Sequence, residues 1–433
     1  MKLVARAWHL GVFRACVVLV TLVSPEPEMA TAIARAPVAL RFYPPGMVEL
    51  ARSIPVTAAW TDAARWLFYV SGVLALFGLY TRASLAAFAV ATLYLFGVVQ
   101  LTGEAVHDMH LVWMLALLAV SPSGDGLSLD SVFGGRGLLG PRKGKSAYDL
   151  ALGFARALLG IVYFFPGFWK LKTSGMAWIT SANVVHQMHW KWAQWGGYLP
   201  PIRVDRVPWL VSLGAFCVVG FELGFGVVSL FPRARRPLAF CGFVFHQLTQ
   251  VFFLITFTSL WATYACLVLP VGTARSRGPR GARGRALTRS TWPVVLVGGG
   301  LVLGAFVQGL RGQTQSYPFA CYPTFAHMVG DEMPDIGLEA VTDERSVRLP
   351  GPRRSQSEWG MAWQIGGLFG APASREAVRA FAAADLGKLG APEGTREVRV
   401  WLVYRSVDPD VARTRPAREI HRFSVSDLAA RRP

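Results

Sequence analysis

The sequence predicts an all-α polytopic membrane bundle of about eight or nine transmembrane helices, followed by a small α+β extracytoplasmic domain. Three observations predict it. Of 433 residues, 53% are hydrophobic and 16% charged, whereas soluble domains carry roughly 25% charge. Long apolar runs recur, divided by Gly, Pro and charge clusters. After about residue 311 the character changes: charges return, and Glu397 to Tyr404 alternates as a half-buried strand does.

The apolar runs fall near residues 7 to 23, 66 to 81, 84 to 101, 107 to 121, 148 to 170, 208 to 231, 237 to 270 and 292 to 311. Arg14 interrupts the first, which argues for a retained helix rather than a cleaved signal peptide. With the N-terminus cytoplasmic, Arg82, the Arg142, Lys143 and Lys145 loop and the Arg233, Arg235 and Arg236 turn all fall inside, and the Gly103-Glu104 turn falls outside. The stretch 237 to 270 is too long for one span and is expected to turn back between His246 and Ser259. That gives about nine crossing elements in a membrane domain over residues 1–311. Residues 312–433 form the extracytoplasmic domain, with a helix-like stretch from Ser374 to Leu389 before the strand.

The net charge of +18 does not indicate nucleic acid. Arg275, Arg277, Arg280, Arg283, Arg285 and Arg289 form an acid-free loop between spans, which reads as a topology signal facing anionic membrane lipid. Cys16, Cys217, Cys241, Cys266 and Cys321 lack the spacing of a disulfide framework or zinc motif.

Polar residues inside the apolar runs carry the functional signal. Lys170 closes the run from Tyr148, after Tyr163-Phe-Phe-Pro-Gly-Phe-Trp. Desolvation favours the neutral amine, which can act as base or nucleophile; snorkelling to the interface is the structural alternative. Arg156 and Glu222 lie at similar depth in antiparallel runs and are expected to form a structural ion pair, which Arg14 could join. His107 and His110, like His186 and His189, are spaced i, i+3 and fall on the side to which Lys170 points. No carboxylate or cysteine stands near them at metal-ligand spacing, and no metal is expected. His246 sits near mid-membrane beside Gln247, as a satisfied core residue or part of a site. Between Leu171 and Val207, Trp178, Trp190, Trp192, Trp195 and Tyr198 form either an interfacial belt or a lid over a flat lipophilic ring. The segment Tyr317 to Phe325, with Cys321, reads as a rigid linker or as a cap over the bundle.

These residues carry a resemblance. The stretch Tyr163 to Leu171 followed by Trp178 resembles the aromatic, Gly, Lys-Leu, Trp stretch of the vitamin K-dependent gamma-carboxylase family and of its bacterial relatives, the horizontally transferred transmembrane (HTTM) domain proteins. His110 heads an apolar helix that ends in Ser121-Pro-Ser-Gly-Asp-Gly-Leu-Ser-Leu-Asp130, which resembles that family's histidine helix. His246, after Arg233-Ala-Arg-Arg236, resembles the histidine that follows its basic turn. The likeness covers roughly residues 1 to 270.

The resemblance implies an enzyme of the carbon-carbon lyase class with a reduced vitamin K or menaquinol cofactor. Lys170 would deprotonate the quinol, dioxygen addition would generate the strong base, and a glutamate of a peptide or protein substrate would be carboxylated while the quinol becomes an epoxide. His110 and His246 would join Lys170 in catalysis, and Phe165, Phe168, Trp169 and Trp178 would hold the quinone. Two other classes remain open on the residues alone: a non-enzymatic module binding quinone or lipid, and a small-solute transporter, for which no inverted repeat is visible.

Overall fold

The computed structural model describes residues 2–3, 7–36, 38, 41, 53–102, 108–135, 137–139, 146–195, 197–269, 273–274, 291–312, 317–319, 325–349, 375, 379, 382–383, 390–411 and 414–429. His107, Gly103, Glu104, Cys321, the Arg142 to Lys145 loop, the arginines from 275 to 289 and most of 374 to 389 lie outside the described residues.

The chain is mostly helical. It begins with α1 (Ala7–Leu22) and α2 (Glu26–Arg35), then α3 (Ala58–Phe77), α4 (Thr81–Val99), α5 (Met109–Val120) and the short α6 (Leu129–Phe133). The long α7 (Ser146–Ser174) is followed by α8 (Ala177–Thr180) and α9 (Asn183–Gln194), then α10 (Pro208–Ser229), α11 (Arg235–Phe253), α12 (Thr258–Thr263), α13 (Ala265–Val268) and α14 (Trp292–Arg311). Among the described residues, five helical stretches are long and apolar enough to cross a membrane: Ala7–Arg35, Thr81–Val99, Ala147–Ser174, Pro208–Ser229 and Trp292–Arg311. Met109–Val120 and Thr258–Val268 are apolar but shorter. The stretch 237 to 270 divides at 254–257, where Leu254 takes a left-handed φ of 56°.

Among the described residues, α2, α6, α8, α9 and the C-terminal helix Val425–Ala429 lie outside the runs expected to be helical; α8 and α9 fall in the stretch read as an aromatic-rich outer loop.

One junction shows how local chemistry fixes the bundle. Asp130 accepts from the Tyr80 and Thr81 N–H groups at 2.9 and 2.7 Å and from the Thr81 hydroxyl at 2.7 Å, covering donors that the first turn of α4 leaves open. Arg14, fully buried, donates to the carbonyls of Ser123 and Leu127 in the same loop. It therefore anchors the α5–α6 loop to α1 and does not join Arg156 and Glu222. Gly11 and Gly126 make this approach possible, since a Cβ on Gly11 would strike the Gly126 carbonyl and one on Gly126 would strike the start of α1.

The C-terminal part is a four-stranded antiparallel sheet. β1 (Glu332–Val341), β2 (Ser346–Arg348), β3 (Glu397–Ser406) and β4 (Thr414–Ser424) lie in the order β2-β1-β3-β4, and α15 (Val425–Ala429) follows. Val398, Val400 and Leu402 of β3 turn to one buried face. The alternation breaks at Val403, where the register with β4 shifts. The turn after β3 is tied to the helical part: Arg203 forks between Asp205 and Asp410, at 2.7 and 2.9 Å, and Arg206 reaches Asp410 at 3.1 Å. Hydrogen bonds from Arg203 and Arg206 hold the Asp410 carboxyl below the usual carboxylate range.

For Asp130, burial pushes the carboxyl up, but the Thr81 and Tyr80 bonds outweigh it and leave it below its usual range. The folded value is depressed, so this contribution is complete above the unfolded value and fades as pH falls through the folded one. Asp130→Ala is expected to lower the stability of purified protein by about 1–2 kcal/mol at neutral pH. Denaturant titration in detergent checks this, and the gap from wild type should close at acidic pH.

Candidate functional site

The site begins with the way α7 and α10 pack. A Cβ on Gly160 would lie 3.1 Å from Gly226 Cα, and one on Gly167 would lie 2.9 Å from Glu222 Cβ. These glycines let the two backbones close and set their register, the device by which helices pack in apolar surroundings. Glu222 is thereby placed beside Gly167, about one turn from Lys170. Lys170 Nζ donates to Glu222 Oε1 at 2.5 Å, and the two residues are 4% and 5% exposed. The expected Arg156–Glu222 pair is therefore corrected. Arg156 lies 11 positions from Gly167, about 16 Å along the axis, and donates to the Cys266 carbonyl at 3.1 Å.

A cavity of about 800 Å³ opens against this pair between α7, α10 and α11. Val162, Tyr163, Pro166 and Lys170 form its α7 wall. At about 100° per residue these positions fall within about 100° of one another, which puts them on one face. Pro166 has no N–H to give the carbonyl four residues back, so the helix ladder is locally open on the cavity wall. Across the space, His246 Nε2 and the Tyr163 hydroxyl share a hydrogen bond of 2.6 Å, and the Tyr163 and Tyr264 hydroxyls are also bonded. His246 is 2% exposed.

Two buried polar atoms on cavity-lining residues have no hydrogen-bond partner among the described residues: Glu222 Oε2 and His246 Nδ1. Leaving such atoms unmatched is costly.

The Lys170 end of the cavity is roofed. Lys170 Nζ sits 5.1 Å from the ring centre of Trp178, whose indole N–H donates to the Phe325 carbonyl at 2.7 Å. Gln187 of α9 donates to the carbonyls of Phe325 and His327 at 3.2 and 3.1 Å, and the Val329 N–H donates to Asn183 at 2.9 Å. Phe325, at a φ of 60°, lines the cavity and packs on Phe253 at 5.5 Å. Of the segment from Tyr317 to Phe325, its last residue thus acts as a cap; Tyr317 instead donates to the Leu93 carbonyl at 2.7 Å.

Of the sequence-derived candidates, Lys170, His246, Trp178 and Glu222 line one cavity. His110 is fully buried and within electrostatic reach of His246, but it does not line the cavity. Phe165, Phe168 and Trp169 are corrected as quinone-holding residues, because the helix turn carries them away from Tyr163, Pro166 and Lys170. Phe165 packs on Phe306 at 5.7 Å, Trp169 donates to the Gly309 carbonyl at 2.7 Å, and Phe168 stacks on Phe164 at 5.8 Å. His189 pairs with Asp205 at 3.0 Å and His186 with the Val329 carbonyl at 3.1 Å, so neither shares a ligand set. Among the described residues, no group of three or more His, Cys, Asp or Glu side chains could hold a metal ion. Tyr264 and Gln187 were missed; Phe325 stood in the segment read as a linker or cap, and Tyr163 headed the motif that ends in Lys170, where its i, i+7 spacing signals a shared face.

Comparison with protein-family models, curated proteins and solved structures finds no match to this chain.

Removing one member of the buried pair strands the other. Glu222→Leu and Lys170→Met are each expected to cost about 3–5 kcal/mol, and the double variant combining the two to recover much of that loss. Unfolding of the four proteins as a double-mutant cycle measures the coupling. Additive losses would show that the two side chains do not meet.

Proposed function

We propose that the chain is an integral membrane protein that binds a reduced, lipophilic quinone in this cavity and takes a proton from it at the Lys170–Glu222 pair. The observation that carries the reading is an apolar cavity of about 800 Å³ with that pair and the His246–Tyr163 bond on its walls. Such a volume is within the range of small-molecule sites. A flat ring with two hydroxyls would match two groups without partners among the described residues: Glu222 Oε2, an acceptor, and His246 Nδ1, an acceptor or a donor according to the tautomer. A bound quinol would supply the reducing equivalents and the acidic hydroxyl. Glu222 would accept the hydrogen bond and the proton, Lys170 would hold the charge, and Tyr163 would fix the orientation of the His246 ring. Trp178 and Phe325 would exclude water.

In this reading residues 1–311 cross the membrane nine times, through α1, α3, α4, α5, α7, α10, α11, α12 with α13, and α14. The contacts of Ala7 with Gly126 and of Asp130 with Thr81 support it, since they gather the starts of α1 and α4 and the end of α5 on one side. Positive-inside counting makes that side cytoplasmic and leaves residues 312–433 extracytoplasmic. Oxygenation of the quinol to an epoxide and water, coupled to carboxylation of a glutamate, rests on the family resemblance. A second reading, a non-enzymatic quinone- or lipid-binding module, is favoured by one observation: the Lys170–Glu222 bond also ties α7 to α10, which gives the lysine a structural use.

Purified protein given menaquinol and dioxygen is expected to form epoxide, with the rate falling at least about 100-fold in Glu222→Gln and Lys170→Met. Quinol binding without epoxide would favour the module, and absence of binding would remove the quinol reading.

A further inference from the structure

The cavity does not end in the protein. Leu210 and Cys217 on α10, with Phe240, Cys241, Val244 and Leu248 on α11, line it and are all exposed on the outside of the bundle. Phe240 and Leu248 are 68% and 52% exposed, whereas Lys170, Glu222 and His246 are at most 5% exposed. One space therefore has a dry polar end and an apolar side opening. α10 and α11 are joined at their turn, where Arg235 Nε donates to the Ser229 carbonyl at 2.8 Å, and by the Phe221 and Phe245 rings at 5.3 Å. Away from these contacts, a Cβ on Gly214 of α10, another lining residue, would meet nothing within 4 Å.

The roof over Lys170 makes the side opening the informative direction. Trp178, Gln187 and Phe325 close the cavity's polar end with side chain to backbone hydrogen bonds. The six residues at the side carry no charge, so an aqueous solute or a peptide backbone would lose its hydration there without replacement. A hydrocarbon chain loses nothing and gains burial. We propose that the gap between α10 and α11 is a lateral port to the bilayer, and that the natural ligand is a two-part lipid whose hydrocarbon tail leaves through it. The inference rests on the quinol reading for the lipophilic ligand and adds the path of its tail and the route of access from the membrane.

The experiment uses full-length protein in lipid nanodiscs with two ligands, a naphthoquinone bearing a long isoprenoid tail with a diazirine on it, and the tailless ring. Photolysis followed by peptide mass spectrometry is expected to place tail adducts on α10 and α11 around Cys217, Cys241 and Val244, and excess tailless ring should compete the labelling away. Cys217→Trp and Val244→Trp narrow the port from exposed positions. They are expected to weaken binding of the tailed ligand about tenfold or more while leaving the tailless ring unchanged. Adducts confined to the roof or to other helices, or equal effects on both ligands, would overturn the port while leaving ring binding intact. Failure of both ligands to bind wild-type protein would overturn the quinol reading and the port with it.

Discussion

A single hydrogen-bonded pair, Lys170 with Glu222, organises the helical core of this protein. Each residue alone in so apolar a setting would be expensive. Together they tie α7 to α10 at 2.5 Å, on the wall of a cavity. The rest of the architecture serves the pair. Gly160, Gly167 and Gly226 bring the two helices close enough, Pro166 opens the wall next to it, and Trp178 covers the ammonium. A bulkier residue at position 167 would displace Glu222 itself, so the packing and the chemistry cannot be varied separately.

The roof connects the site to the sheet. The backbone from Phe325 to Gly330 is held by Trp178, Asn183, Gln187 and Trp190, and β1 begins two residues later. On the same side, Asp205 joins His189 of α9 to Arg203, which also holds Asp410 beside β3. Burial pushes the Asp205 carboxyl up, and the bonds from Arg203 and His189 bring it below its usual range. The C-terminal sheet is thus clasped at two points to the elements that close the cavity.

Much of this was legible in the sequence, because intramembrane charge is rare enough to stand out. Lys170 and Glu222 stood out by that cost, Glu222 as the expected partner of Arg156, whereas His246 entered the candidate site through the family resemblance; most apolar runs became helices near the expected limits. The partner of Glu222 was not legible. Depth counted from helix ends assumes that the ends are level, but α7 starts at Ser146, and the Gly160–Gly226 and Gly167–Glu222 contacts slide it so that Arg156 falls well below Glu222. The aromatic run from Tyr163 to Trp169 misled in another way. It signals an apolar surround, yet the helix turn divides it between two faces, and only Tyr163 shares that of Lys170. The roof residues come from segments about 140 positions apart, and no local pattern announces such a meeting.

The most direct test is an experimental structure of the protein in nanodiscs with a non-oxidisable quinol analogue. Lys170 Nζ is expected on Glu222, with the ring between that pair and His246 under Trp178 and Phe325. A lysine turned out to headgroups or water, with Glu222 on another cation and the ring bound elsewhere, would contradict it.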